Sequence, residues 1–349
     1  MLARRISVFI MIVFLGLVIS CSQPATETKP PEIKITGAGA TFPYPLYKKW
    51  IDEYQKTHKD INIFYEPVGS GEGVRRFLKQ EVDFGASDAA MSDEEIAKVE
   101  RGVKLIPATA GIISLAYNLK GVTGVLKLPR EVYVAIFAGD IKKWDDPKIV
   151  QANPGLNLPA LSIIPVTRTD SSGTTFAFTN HLSAISKDWR DRGPGVGKVV
   201  HWPNHAMSAR WNEGVAGRIK ITDGAIGYVE YGYAQRAGLA LAALENKAGK
   251  FIEPSPSVGQ ATLINTQNDM PDNLRMFFPD PPGEDSYPIV TYSWLMLYGN
   301  YPDQKKGRAL QDFVKWGITE GQNSSEGLGY CSLPPQIRER ALIAIEEIK

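Results

Sequence analysis

The amino-acid sequence predicts an α/β fold in which mixed, mostly parallel sheets are flanked by helices and shared between two lobes. Three observations carry this expectation. Short apolar runs alternate along the chain with segments whose apolar residues recur at helical spacing. At 349 residues the chain exceeds the roughly 250 to 300 residues that one hydrophobic core commonly fills. Its 43% hydrophobic and 22% charged residues are the proportions of a folded globular protein, which excludes global disorder, and no internal repeat marks it as a solenoid.

The N-terminus stands apart from this pattern. Arg4 and Arg5 precede an apolar run from Val8 to Ile19 that is too short to span a bilayer and has the form of a secretory signal. It ends in Val18, Ile19, Ser20 and Cys21, which resembles the bacterial lipobox, so residues 1–20 are expected to be removed and Cys21 to carry a lipid. Residues 21–34, with Pro24, Pro30 and Pro31, read as a tether. Loss of Arg4 and Arg5 takes the 39 basic residues to 37 against 38 acidic ones, a net charge of −1. Such a chain has no electrostatic reason to bind nucleic acid. With Cys21 lipidated, Cys331 has no disulfide partner and reads as a partly buried, small apolar residue. His201 and His205 are four apart, but Pro203 breaks the helix that would align them, so they read as surface residues rather than metal ligands.

The folded body opens with a strand at Ile35 to Gly39 and a helix on which Leu46, Tyr47, Trp50, Ile51 and Tyr54 share a face. A strand around Ile61 to Val68 follows, then the turn Gly69 to Gly73, then a helix with Val74, Phe77 and Leu78 on one side. Val82 to Ala86 alternates as a strand does, with Asp88 just past its end, and Gly111 to Asn118 is a further strand. Phe137 to Pro147 is rich in turns. Leu161 to Val166 reads as a strand, Gly224 to Ala234 as a buried strand and Tyr287 to Tyr298 as another, before helices at Gln304 to Glu320 and Pro335 to Lys349.

Chemistry concentrates where strands hand over to helices. In Thr167 to Phe178 an apolar strand gives way to Arg168, Asp170, Ser172, Gly173 and Thr174 at the start of a helix. Unpaired N–H groups and the positive end of the helix dipole favour an oxyanion there. Arg168 offers a planar fork for oxygen, and Asp170 can hold that fork. Taken alone, the segment reads first as an N-cap. Thr41 and Ser70, however, lie at two more such junctions, and ligands of open α/β sheets bind where such junctions converge.

These residues belong to a wider match. Thr36 to Trp50 (TGAGATFPYPLYKKW), the Gly69 to Gly73 turn, Val82 to Glu95 (VDFGASDAAMSDEE), Gly139 to Pro147 (GDIKKWDDP), Thr167 to Phe178 and Gly224 to Ala234 together resemble, in order, the phosphate-binding protein of the bacterial high-affinity phosphate ABC transporter. The resemblance implies a periplasmic-binding-protein-like fold of type II, with lobe I from 35–112 and 238–349, lobe II from 113–237, and a hinge near 111–118 and 235–245. It implies that Thr41, Phe42, Ser70, Asp88, Arg168, Ser172, Gly173 and Thr174 contact inorganic phosphate, with Asp170 holding Arg168. It further implies a monomer, exported and tethered to a membrane through Cys21, that serves permease subunits without a cofactor and is not an enzyme. Three positions depart from the family pattern: Gly71 and Glu72 replace a usual serine and glycine, and Ser171 stands where glycine is common. Glu72 is expected to face solvent as a favourable charge at a helix start.

Asp88 is the selective residue in this reading. A carboxylate beside an anion repels it unless a proton lies between them, and phosphate keeps a proton near neutral pH where sulfate does not. A rival reading, a serine hydrolase built on Ser171 or Ser172 with His181, lacks a G-x-S-x-G elbow and places His181 about two turns along the same helix.

Overall fold

The computed structural model describes residues 32–349; the apolar leader, Cys21 and the tether before Glu32 lie outside the described residues. The strands are β1 (Ile33–Gly39), β2 (Ile61–Pro67), β3 (Phe84–Ser87), β4 (Val103–Tyr117), β5 (Lys127–Leu128), β6 (Ile164–Arg168), β7 (Met207–Ala209), β8 (Ala225–Glu230), β9 (Ala240–Leu241), β10 (Ala243–Glu245), β11 (Phe251–Ile252) and β12 (Val290–Tyr298). The helices are α1 (Tyr44–Thr57), α2 (Ser70–Leu78), α3 (Asp93–Ile96), α4 (Arg130–Ala138), α5 (Pro147–Ala152), α6 (Gly173–Ile185), α7 (Lys187–Arg192), α8 (Trp211–Ile221), α9 (Tyr231–Ala237), α10 (Pro256–Thr266), α11 (Gln304–Ile318) and α12 (Pro335–Glu346).

Strands join in the order β2-β1-β3-β12-β4-β8-β6-β7, with β9 also on β4, and β11-β10-β5 form a separate ribbon. Parallel pairs lie outboard, β1 with β2 and β3 on one side and β6 with β7 and β8 on the other. Antiparallel β12 and β4 occupy the centre. The fold is thus α/β with a mixed sheet flanked by helices.

Strand β4 joins the two halves. Its first part, Val103–Ile112, pairs with β12, and its last part, Ile113–Tyr117, pairs with β8. The sequence signals a strand only from Gly111, because Pro107 interrupts the pattern; the structure keeps the strand going by a bulge. Thr109 faces Ser293 and Pro107 faces Trp294, so the ladder slips by one residue around the proline that cannot donate to it.

The expected periodicities account for the core. Leu46, Tyr47, Trp50, Ile51 and Tyr54 are the buried residues of α1, and burying a side chain such as Leu46 contributes about 2 kcal/mol. Helix α2 begins at Ser70, earlier than its turn-like sequence suggests, since Gly69 makes the whole turn at φ 101° and the chain is helical one residue later. The segment read as a strand to Ala234 divides at Glu230, whose carboxylate accepts the Gly232 and Tyr233 N–H groups and so starts α9. Cys331 is fully buried rather than partly so, and His201 and His205 are exposed. No described helix is long and apolar enough to cross a membrane.

Candidate functional site

Each strand-to-helix junction presents its groups because its other backbone atoms are engaged elsewhere. After β1, the carbonyls of Ala40, Thr41 and Phe42 accept hydrogen bonds from the hydroxyls of Tyr65 (2.8 Å), Tyr233 (2.7 Å) and Tyr330 (2.6 Å). With its carbonyls held this way, the Phe42 N–H has no protein acceptor among the described residues, and neither do those of Gly173 and Thr174 at the start of α6. Such N–H groups at a helix entrance attract an anion.

The hydroxyls obey one rule: each oxygen receives an N–H from the protein. Ser172 Oγ accepts from Thr175 N–H at 3.1 Å, and Ser70 Oγ from Asp88 N–H at 3.2 Å. Thr41 Oγ1 and Thr174 Oγ1 both accept from the side-chain amide of Asn212. A hydroxyl occupied as an acceptor has its own hydrogen left to donate. Thr41, Phe42, Ser70, Asp88, Arg168, Ser172, Gly173 and Thr174 are all buried, none above 6% exposure among the polar ones.

Arg168 is the last residue of β6. Its Nε and Nη2 donate to Asp170 at 2.7 and 2.5 Å, while Nη1 is buried and has no partner. An orphaned, buried guanidinium N–H carries a desolvation cost that an incoming oxyanion removes. Burial works to raise Asp170, but the Arg168 hydrogen bonds and charge and the Trp211 N–H outweigh it and hold that carboxyl below its ordinary range.

Asp88 follows β3. Burial pushes its carboxyl up to about 7, against the hydrogen bond donated by Ser293 (2.8 Å), the charge of Arg168 and the Ser70 hydroxyl. Glu230 is likewise raised, to about 8, by burial. A carboxyl whose folded pKa lies above its unfolded one contributes stability below the unfolded value and loses it as pH rises to the folded value. His181, lowered to about 4 by burial, acts in the opposite sense but is silent above about pH 6.5. Between pH 6.5 and 8.5 the unliganded protein should therefore lose about 2 to 3 kcal/mol, most of it through Glu230. Urea unfolding across that window checks this, and Glu230→Gln should remove the larger share; a stability independent of pH would contradict it.

The two sides of the site touch closely. A Cβ on Gly173 would lie 2.5 Å from Ser70 Oγ and 2.8 Å from both Ala89 N and Asp88 Cβ, and Gly71 N–H donates to Ser171 O at 2.9 Å. The departures at 71 and 171 are matched. A Cβ at Gly71 would sit 1.9 Å from Ser171 Oγ, so the side chain missing at one position leaves room for the one present at the other. Glu72 turns away to Arg75 and Arg76, whose hydrogen bonds hold it at about 2, consistent with a charge directed to solvent.

His181 does not reach Ser171 or Ser172. Its Nδ1 donates to Pro279 O at 2.7 Å, so its Nε2 accepts from the Tyr133 hydroxyl at 2.8 Å, and both nitrogens are occupied in the core. Sequence reasoning missed Asn212, Ser293 and the tyrosines behind residues 40–42. Ser293 carried a usable signal, a polar residue inside the apolar run Tyr287 to Tyr298; Asn212 carried none. A cavity of about 1340 Å³ beside Trp189 and Trp202 is lined by none of the site residues.

Comparison with known proteins identifies relatives. The family model of the PBP superfamily domain matches residues 24–320. A "Phosphate-binding protein PstS" of Pasteurella multocida is 39% identical over 308 residues, covering 88% of each chain. The one from Methanocaldococcus jannaschii is 37% identical over 350 aligned residues, covering 94% of this chain and 90% of the relative. Among solved structures, the phosphate-binding protein from Stenotrophomonas maltophilia superposes with a TM-score of 0.73 at 19% identity, over 89% of this chain and 94% of that one. A periplasmic phosphate-binding protein with bound phosphate, PfluDING, gives 0.72 at 20% identity, over 88% and 92%. At such identities these two structures speak for the two-lobed fold alone.

Proposed function

We propose, from the premise that this chain belongs to the phosphate-binding protein PstS family of the PBP superfamily, that it captures inorganic phosphate between two lobes and delivers it to an ABC-type import permease. The observation that carries this reading is the buried, unpartnered Nη1 of Arg168 beside the Thr41, Ser172 and Thr174 hydroxyls and the Phe42, Gly173 and Thr174 N–H groups, whose hydrogens have no protein acceptor among the described residues; the Ser70 hydroxyl, in the absence of an anion, donates to Asp88 at 3.4 Å. Arg168, Thr41, Ser70, Ser172 and Thr174 donate to phosphate oxygens, with the N–H groups of Phe42, Gly173 and Thr174. Asp170 keeps the Arg168 fork in place.

Lobe I comprises 35–112 and 238–349 and lobe II 113–237. The change of partner along β4 at Ile112 and Ile113 supports that division, and β5 of lobe II pairs with β10 of lobe I. Closure bends the chain near 111–118 and 235–245. Residues 1–20 act as an export signal and Cys21 as the lipid anchor, which places the binding body outside the cytoplasm as a monomer on its tether. The protein binds rather than catalyses: His181, on the helix that begins at the Ser172 junction, has both ring nitrogens engaged by Pro279 and Tyr133.

Asp88 sets the choice of anion. Ionised, it accepts a hydrogen bond from the proton that phosphate carries and repels sulfate; protonated, it donates to either. In the closed cleft burial pushes its carboxyl up to about 7, so sulfate should compete better at pH 6 than at pH 8. Asp88→Asn fixes a donor in place of the acceptor and should lower the phosphate-to-sulfate preference by about 100-fold, which is about 2.7 kcal/mol. Competition calorimetry with the two anions measures both effects, and failure of the unaltered protein to bind inorganic phosphate would refute the proposed function itself.

A further inference from the structure

Asn212 stands at the second position of α8 and is fully buried. Its Oδ1 accepts the Glu230 N–H at 3.1 Å. That bond fixes the amide, because the reverse orientation would set two N–H donors against each other. Nδ2 is thereby directed at Thr41 Oγ1 (3.2 Å) and Thr174 Oγ1 (3.5 Å), which belong to the first and third junctions. Neither threonine hydroxyl donates to any group among the described residues. Asn212 therefore supplies the acceptor-side bond for two hydroxyls at once, and it reaches across the cleft to do so.

We infer that Asn212 is a positioning residue for anion capture: it turns the hydroxyl hydrogens of Thr41 and Thr174 toward the bound anion and ties the two sides of the closed cleft without touching the anion. The inference rests on the proposed phosphate capture and deepens it. Because it acts on donors that serve any oxyanion, it governs affinity and not the choice between phosphate and sulfate, which separates it from Asp88. A carboxylate in its place would reverse the arrangement, since both hydroxyls would then donate to residue 212 and face away from the anion.

Two substitutions separate this role from mere support of β8. Asn212→Asp keeps an oxygen for the Glu230 N–H but removes the donor; Asn212→Leu removes both. A positioning role predicts that calorimetry with inorganic phosphate finds N212D weakened by at least 100-fold and N212L by about 10-fold, with the phosphate-to-sulfate ratio unchanged in N212L. A role confined to holding the Glu230 N–H predicts the opposite order, and N212D binding as tightly as N212L would overturn the inference. Thermal melts of both variants establish that they are folded. If N212D does not fold, a cycle of N212L with Thr41→Val decides: the cost of T41V should shrink several-fold in the N212L background, and additive losses would overturn the inference. The unaltered protein in the same titration reports separately on phosphate capture, so a failure there is not confused with a failure here.

Discussion

Arg168→Met should cost at least about 1000-fold in phosphate affinity, equivalent to roughly 4 kcal/mol, and should destabilise the unliganded protein as well. The two losses have different origins. Affinity falls because Nη1 is, among the described residues, the one buried guanidinium nitrogen left free for the ligand, and charge-assisted hydrogen bonds contribute about 1.5 to 3 kcal/mol each. Stability falls because Asp170, with a side chain only 5% exposed, keeps the Trp211 N–H but loses its cation. Breaking a buried pair by removing one member typically costs about 3 to 5 kcal/mol. The double substitution Arg168→Met with Asp170→Asn should recover much of the stability and none of the binding. Calorimetry and chemical unfolding on the two variants measure this; R168M binding phosphate within tenfold of the unaltered protein would remove Arg168 from the site.

Gly173→Ala is expected to weaken phosphate binding by about 100-fold or more while leaving the unliganded protein as stable as before. Alanine is the better helix former by roughly 0.5 to 1 kcal/mol, and nothing in α6 itself forbids it. The obstacle is across the cleft, where the new methyl would press on Ser70 Oγ, Ala89 N and Asp88 Cβ. Two of these belong to backbone or near-backbone positions that cannot swing aside. A variant that cannot close should keep its melting temperature without phosphate and lose most of the increase that phosphate brings, since a ligand stabilises only in proportion to its affinity. Unchanged affinity would mean that the contact at Gly173 is not part of the bound state.

Much of this protein is legible in its sequence because its elements agree with simple periodicities. The face of α1 follows from the spacing of Leu46, Tyr47, Trp50, Ile51 and Tyr54, and the three junctions follow from small polar residues placed after apolar runs. What was not legible depends on contacts distant in sequence. Asn212 meets Thr41 across 171 positions, and Ser293 meets Asp88 across 205; no local pattern encodes such pairs. The extent of β4 was obscured by Pro107, whose effect is absorbed by a bulge that depends on its partner β12. The start of α9 was hidden because a carboxylate cap at Glu230 requires burial that composition does not reveal. The exchange at 71 and 171 was visible as two oddities, and only their proximity makes them one feature.

The uninterrupted course of β4 also bears on how this protein can be divided. One sheet half takes Val103–Ile112 as its member and the other takes Ile113–Tyr117, so neither half owns a complete set of strands. A gene fragment ending at the seam would strip one half of its central antiparallel neighbour and leave the β12 or β8 edge open to pairing with other chains. The halves are therefore not modules that recombination can exchange by a single cut at Ile112. A functional chimera has to carry the strand whole, together with the surfaces that meet it on both sides.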